Sequence, residues 1–202
     1  MVIRSRILVL LPNWVGDAVM ATPALRALRR WFPEAHIAHA GKGSSLAVLD
    51  PDPWADETLA DDSRGAGLPG VLNFASRLRR GHYDTALLLP NSFRSALAAR
   101  LGGVRRLAGY ARDGRGWLLA RSFSPARKNG GGWKPVSAVD YYLRLLELLG
   151  VYDAEQLPRE LELHVGDEDR QAADRLLERH EVGDDRPLVM LNPGAAFGPS
   201  KM

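Results

Sequence analysis

The chain has 202 residues, of which 46% are hydrophobic and 25% are charged. This composition is typical of a folded globular protein, and the length suits one large domain or a domain and a half. The absence of cysteine excludes disulfides and thiolate metal sites. The sequence has no apolar stretch near the roughly 20 residues that span a bilayer and no signal-peptide pattern at its N-terminus, so it predicts a cytoplasmic protein.

The net charge of +3 conceals an uneven distribution along the chain. Acids dominate between Glu147 and Asp185, whereas Asp113 is the only acid in the middle stretch. The bases of that stretch are Arg94, Arg100, Arg105, Arg106, Arg112, Arg115, Arg121, Arg127, Lys128 and Lys134. This asymmetry indicates either an anionic partner for the middle of the chain or a basic face that is simply solvated.

The first chemical signal lies near the N-terminus. The apolar run Ile7–Leu11 predicts a buried parallel strand, and helical periodicity follows after Gly16. Asp17 therefore stands at the carboxyl end of the first strand, where open α/β sheets bind their ligands. A helix N-terminus keeps a carboxylate ionised, which suits a general base. The alternative is that Asp17 only caps the amides of its helix.

Strands and helices alternate along the rest of the chain. The predicted strands are 7–11, 35–40, 57–60, 83–89, 105–110, 161–163 and 187–191. The predicted helices are 16–32, 44–49, 71–80, 93–101, 136–149 and 166–180. At Thr22-Pro23 the first of these helices is either kinked or replaced by a new one. The alternation predicts an α/β fold with a doubly wound, mostly parallel sheet.

A few residues predict where the helices begin and end. Ser92 is expected to cap the helix that starts at Phe93, and Gly150 is expected to end the helix before it. Gly81 is predicted to be a left-handed C-terminal cap. The stretch Ser124–Lys134 has the Pro, Gly and Lys content of a mobile basic loop.

The glycine-rich stretch from Asn192 to Lys201 has the parts of a phosphate cradle. Its glycines let the backbone approach a ligand closely, and its lysine supplies positive charge. It is not a Walker A loop, and the chain lacks the dinucleotide fingerprint, so a nicotinamide dehydrogenase is disfavoured. The five histidines are scattered and predict no metal site. Because the chain stops in a loop that should lead into another helix, we expect it to be truncated.

Four collinear blocks of the chain are distinctive. They read LPNWVGD at 11–17, TPAL at 22–25, YD followed by LPNSFRSAL within 83–97, and PGAAFGPSK at 193–201. Together they resemble the ADP-heptose:lipopolysaccharide heptosyltransferases over essentially the whole chain. The resemblance implies a GT-B glycosyltransferase, in which two Rossmann-like domains face each other across a cleft. Residues 1–185 would form the acceptor-side domain, and residues 186–202 would begin a donor-binding domain that is otherwise missing.

The resemblance also implies roles for individual residues. Asp17 would be the catalytic base of an inverting, metal-independent transfer of heptose from ADP-heptose to the inner core of lipopolysaccharide. The donor would be bound by Lys201, Gly194, Ala195 and Gly198. The acceptor would be bound by Asn13, Trp14, Asn91 and Arg94, and the arginines between 105 and 127 are further candidates. From the sequence alone, Trp14 is equally suited to stack on a sugar ring or to fill the core below the turn.

The partners implied by the resemblance are ADP-heptose and a lipid-linked anionic sugar acceptor, with no cofactor, no metal and no nucleic acid. The protein would lie peripherally at the cytoplasmic face of the inner membrane, and this piece alone would turn over little or nothing. The alternative is a non-catalytic, anion- or nucleotide-binding α/β module. Its spread-out arginines lack the aromatic residues that single-strand binders place between their basic ones.

Overall fold

A computed structural model describes residues 5–61, 65–125, 135–183 and 187–191. The chain divides into two compact units, Met1–His164 and Val165–Met202. The first unit is built on a six-stranded sheet in which every pairing is parallel. Its strands are β1 (Arg6–Leu10), β2 (His36–Gly41), β3 (Glu57–Ala60), β4 (Thr85–Leu88), β5 (Arg106–Tyr110) and β6 (Arg121–Phe123).

The strands lie in the order β3-β2-β1-β4-β5-β6. The chain therefore leaves β1 in one direction along the sheet and returns to its other side with β4. Because all strands are parallel, their carboxyl ends share one edge, and the reversal of strand order opens a crevice there. We call this the carboxyl edge, and the opposite one the amino edge.

Helices cover both faces of the sheet. They are α1 (Val15–Met20), α2 (Thr22–Trp31), α3 (Gly43–Ala47), α4 (Gly67–Arg80), α5 (Phe93–Leu101) and α6 (Ala138–Leu145), while α7 (Asp167–Arg179) belongs to the second unit. Val9 packs into a core with α2 and α6, whereas its neighbours Leu8 and Leu10 pack into a core with α4 and α5. Burial on both faces accounts for the unbroken apolar run of β1. The predicted doubly wound α/β fold is confirmed.

Several predicted boundaries are confirmed. The N–H of Ser95 donates to Ser92 Oγ at 3.3 Å, so Ser92 caps α5. Gly150 has a φ of 90° and ends the short 3₁₀ turn that follows α6. At Thr22 a new helix begins: α1 ends at Met20, and the Thr22 hydroxyl donates to the carbonyl of Val19 at 2.8 Å.

Two predicted strands are wrong. The described backbone forms no strand at 161–163 or at 187–191. Instead, the N–H of Glu162 donates to the Thr22 hydroxyl at 3.1 Å, and its carboxylate forms an ion pair with Arg26. Residues 161–163 therefore lie against α2 rather than beside a strand. The side chains of residues 188–191 are exposed.

Gly81 is not a left-handed cap, because its φ is −77°. Its lack of a side chain has another reason. A Cβ atom at position 81 would lie 2.3 Å from ring atoms of Tyr83, which is buried. The close approach of that ring, and not the backbone conformation, accounts for the glycine. The left-handed residue is the next one, His82, with a φ of 48°.

Replacing Gly81 with alanine should therefore destabilise the fold by about 1–3 kcal/mol, because the buried Tyr83 ring has to move. Gly43→Ala is the matched control, since nothing lies within 4 Å of its Cβ position. It should change the free energy of unfolding by less than about 0.5 kcal/mol. Urea unfolding measures both variants, and equal midpoints for the two would contradict this account of Gly81.

Candidate active site at the carboxyl edge

The turns that follow β1 and β4 lie side by side, because the two strands pair directly. Leu10 is opposite Leu88, and the N–H of Leu89 donates to the carbonyl of Leu10 at 3.1 Å. The first turn carries Asn13 and leads into α1 with Asp17, and the second carries Asn91. The structure thus places the predicted base beside predicted acceptor-side residues, at the point where the strand order reverses.

Asp17 does not cap its helix. It is half-buried in the first turn of α1, whose N-cap residue is Trp14, and no side-chain capping hydrogen bond is made there. Among the described residues, no hydrogen bond or ion pair engages its carboxylate. Burial, and then the nearby charge of Asp17, raise the pKa of the Tyr142 hydroxyl. The carboxylate therefore lies near a neutral tyrosine and keeps its oxygens available as proton acceptors.

The two residues before α1 differ in exposure. Trp14 is 59% exposed, so it does not fill the core beneath the turn. Asn13 is partly exposed, but its Oδ1 is buried and has no hydrogen-bond partner among the described residues. A buried acceptor without a donor is costly. The turn therefore presents an aromatic surface and an unused polar atom next to Asp17.

The Asn91 side chain is held from α6. Its Oδ1 accepts a hydrogen bond from the Tyr141 hydroxyl at 2.9 Å. The Tyr141 ring stacks on Tyr110 with 3.8 Å between ring centroids, and the Tyr110 hydroxyl donates to the Tyr141 carbonyl at 3.1 Å. Burial raises the pKa of Tyr141, although hydrogen bonds with Asn91 and Arg112 oppose this shift. The hydroxyl is therefore protonated at neutral pH and acts as a donor.

Arg94 has a carboxylate partner. Its Nη1 and Nη2 atoms lie 2.5 and 3.2 Å from the two carboxylate oxygens of Asp61, which follows β3. The side chain of Asp61 is only 3% exposed, while that of Arg94 is 26% exposed. The pair links the start of α5 to the end of β3 along the carboxyl edge, and part of the Arg94 side chain still faces solvent.

The basic middle stretch does not form one face. Arg106 and Arg121 are the first residues of β5 and β6, and so lie at the amino edge, away from Asp17. Arg115 is completely buried. Arg106 and Arg121 therefore lie away from Asp17, and Arg115 has no exposed charge with which to contact an acceptor directly, whereas Arg112 follows β5 at the carboxyl edge. An acceptor-side role for the arginines between 105 and 127 stays a prediction. Arg127, Lys128 and Lys134 lie outside the described residues.

Sequence reasoning missed the contribution of α6. The sequence predicts the helix but does not single out Tyr141 and Tyr142 as site residues, although two adjacent tyrosines in one helix are a visible signal. The predicted donor-binding residues Gly194, Ala195, Gly198 and Lys201 all fall in the stretch that the structure does not describe. In the described ranges, no three His, Asp or Glu residues group in a way that would hold a metal ion, and no helix is long and apolar enough to cross a membrane.

Comparison with known proteins decides the family. The model of glycosyltransferase family 9 (heptosyltransferase) matches residues 71–202, which is more than half of the chain. The chain belongs to glycosyltransferase family 9. Among its curated family 9 relatives, lipopolysaccharide heptosyltransferase 2 of Salmonella typhimurium is 30% identical, over 97% of this chain and 56% of the relative. Lipopolysaccharide heptosyltransferase 2 of Escherichia coli K12 is 29% identical over the same shares.

Solved structures of family 9 members have the same fold. The glycosyl transferase family 9 protein of Veillonella parvula has a TM-score of 0.80 at 24% identity, over 98% of this chain and 56% of that one. The E. coli ADP-heptose lps heptosyltransferase II has a TM-score of 0.72 at 27% identity, over 96% and 56%. The chain thus spans about half the length of the relatives it matches. The resemblance to heptosyltransferases is confirmed, and family 9 membership favours an enzyme over a non-catalytic binding module.

Tyr141→Phe should lower the free energy of unfolding by about 1 kcal/mol, because Asn91 Oδ1 loses its donor. In a double-mutant cycle with Asn91→Ala, the coupling energy between the two residues should be about 0.5–1.5 kcal/mol. The control is Tyr152→Phe, which removes the hydroxyl of a side chain that is 73% exposed and should leave stability unchanged. Chemical denaturation of the four proteins of the cycle measures the coupling, and a value near zero would refute the Tyr141–Asn91 bond.

Proposed function

We propose that this chain is the acceptor-side part of an inverting heptosyltransferase, which moves heptose from ADP-heptose to the inner core of lipopolysaccharide. The observation that carries the proposal is the Asp17 carboxylate, which is partly exposed, makes no capping bond and lies at the reversal of strand order. The relatives named above support the choice of sugar and acceptor, since their names specify lipopolysaccharide and, in one case, ADP-heptose.

In the proposed reaction, a hydroxyl of the acceptor sugar gives its proton to an Asp17 carboxylate oxygen. The hydroxyl oxygen forms a bond to the anomeric carbon of the heptose from the side opposite the nucleotide. The bond between that carbon and the diphosphate oxygen breaks, ADP leaves with the electron pair, and the configuration inverts. A general base of this kind typically contributes a factor of about 10²–10⁴ to the rate.

The other site residues follow from the same proposal. Asn13 and Trp14 would bind the acceptor beside Asp17, with the Trp14 ring against an apolar sugar face. Asn91 would bind it from the neighbouring turn, and the exposed part of the Arg94 side chain would bind it from the start of α5.

The donor diphosphate would be bound by a second domain. That domain would begin near residue 186, and Lys201 with the backbone around Gly194, Ala195 and Gly198 would offset the charge on the leaving ADP. The acceptor's lipid would bring the enzyme to the cytoplasmic face of the inner membrane, as a peripheral protein.

Asp17→Asn should reduce kcat at least about a hundredfold in a protein that joins this chain to a donor-binding domain. The matched control is Asp113→Asn, which removes an exposed acid from the loop after β5 and should change kcat less than twofold, about 0.4 kcal/mol. Release of ADP from ADP-heptose in the presence of acceptor measures the rate. Activity of Asp17→Asn within a few-fold of the parent would remove Asp17 from the role of base.

Trp14→Ala should weaken binding of an inner-core oligosaccharide to the 202-residue chain about tenfold, the equivalent of roughly 1.4 kcal/mol of ring contact. Trp31→Ala removes a ring that is also about half exposed but lies at the far end of α2, and it should leave binding unchanged. Isothermal titration measures both. Equal affinities of the two variants would argue against Trp14 as an acceptor residue, and tighter binding of duplex DNA than of oligosaccharide would favour a generic polyanion binder.

A further inference from the structure

Arg115 is a buried cation without a carboxylate among its hydrogen-bond partners. It lies in the connection between β5 and β6, and its relative exposure is 0%. Removing a guanidinium from water is costly unless its N–H groups find acceptors. Burial lowers the pKa of Arg115 to about 10, which leaves it charged at neutral pH. The fold therefore retains a buried charge at this position. Its hydrogen-bond acceptors show which part of the structure this charge stabilises.

Three of the four acceptors of Arg115 lie in or just after one turn. We call Pro90–Ser92 the switch-point turn, since it follows β4 at the reversal of strand order. Arg115 Nη1 donates to the carbonyl of Pro90 at 2.5 Å and to that of Ser92 at 3.2 Å. It also donates to Ser95 Oγ at 3.2 Å. One nitrogen thus holds the backbone on both sides of Asn91 and the first turn of the helix behind it.

The end of β5 also holds the guanidinium of Arg115. Its Nε donates to the carbonyl of Tyr110 at 3.1 Å, which fixes it to the last residue of that strand. A Cβ atom at Gly109 would lie 3.2 Å from Arg115 Nη2 and 3.2 Å from the carbonyl of Leu88. A glycine in β5 therefore makes room for the guanidinium against the sheet.

The switch-point turn is thus held by two independent contacts. Arg115 holds its backbone from the side of α5, and the Tyr141 hydroxyl holds the Asn91 side chain from α6. Neither contact is needed to cap α5, because Ser92 already caps that helix. Both contacts restrict Asn91, which lies in the turn after the strand that pairs directly with β1.

We propose that Arg115 is a positioning residue for acceptor binding, which fixes the switch-point turn so that Asn91 and Arg94 meet the acceptor in one geometry. This inference rests on the proposed function. Without the cation, the carbonyls of Pro90 and Ser92 lose a common donor and the turn relaxes. A displacement of about 1 Å close to reacting groups can cost a factor of about a hundred in rate.

The test compares Arg115→Met with Arg100→Met. Arg100 is a matched control, because it also donates to backbone carbonyls, those of Val104, Arg105 and Leu118, but at the far end of α5. The first measurement is hydrogen–deuterium exchange of the 202-residue chain. Arg115→Met should speed exchange in residues 89–97 at least about tenfold, whereas Arg100→Met should leave that segment unchanged.

The second measurement is kinetics in a protein that also carries a donor-binding domain. Arg115→Met should lower kcat/KM for the acceptor about tenfold or more while KM for ADP-heptose stays the same, and Arg100→Met should change neither. Unchanged exchange in residues 89–97, or an equal loss for donor and acceptor, overturns the positioning role. If exchange rises but the parent protein transfers no heptose, the proposed function fails and the structural hold on the turn stands.

Arg115→Lys keeps the inference testable if the methionine variant does not fold. A lysine retains the charge but cannot reproduce the planar set of donors, so it reaches fewer of the carbonyls. For this variant, we expect both the exchange rate in residues 89–97 and kcat/KM for the acceptor to lie between the values of the parent and those expected for Arg115→Met. A lysine variant that equals the parent in both measurements overturns the proposal.

Discussion

The parallel pairing of β1 with β4 is the constraint on which the rest of the structure depends. It aligns the ends of two strands that are far apart in the chain, and so puts the turn before α1 beside the switch-point turn. Since the chain runs to opposite sides of the sheet from these two strands, their turns diverge and leave a crevice between them. The carboxylate of Asp17 owes its position to this pairing rather than to any hydrogen bond of its own.

Around that crevice, several polar groups hold the backbone in place. Arg115 and the Tyr141 hydroxyl restrict the switch-point turn, and the bidentate pair of Arg94 and Asp61 joins α5 to the end of β3. Asp17 and the Oδ1 atom of Asn13 are left without hydrogen bonds among the described residues. The function proposed above requires such a division, in which the backbone is held while some polar atoms stay available.

The parts of the fold that the sequence predicts well are those with a local cause. An apolar run before Pro12 and a serine before α5 act within a few residues of themselves, so β1 and the start of α5 were predicted correctly. A strand forms only beside another strand, and a short apolar run does not indicate whether a neighbouring strand is present. Residues 161–163 lie against α2 instead. The interpretation of Gly81 as a left-handed cap is wrong, because the reason for the glycine is the ring of Tyr83, which packs against position 81.

The candidate site shows the same limit more strongly. Asp17 could be singled out because strand, turn and acid are contiguous in the chain. The contact between Asn91 and Tyr141 joins residues 50 positions apart, and no local pattern marks it. Likewise, the spacing of the arginines does not reveal that Arg106 starts a strand while Arg115 turns inward. Burial of a cation is decided by carbonyls that only the folded chain brings together.

The central position of β1 in the sheet also affects the order in which the protein unfolds. Among the described residues, β1 is bonded to strands on both of its sides, whereas β3 and β6 are bonded on one side only. Fraying begins at such borders because fewer bonds have to break. On warming, the segments around Asp61 and β6 would therefore unfold locally before the turn that leads into α1. A partly melted molecule would lose the ion pair of Arg94 with Asp61 while the Asp17 carboxylate kept its position.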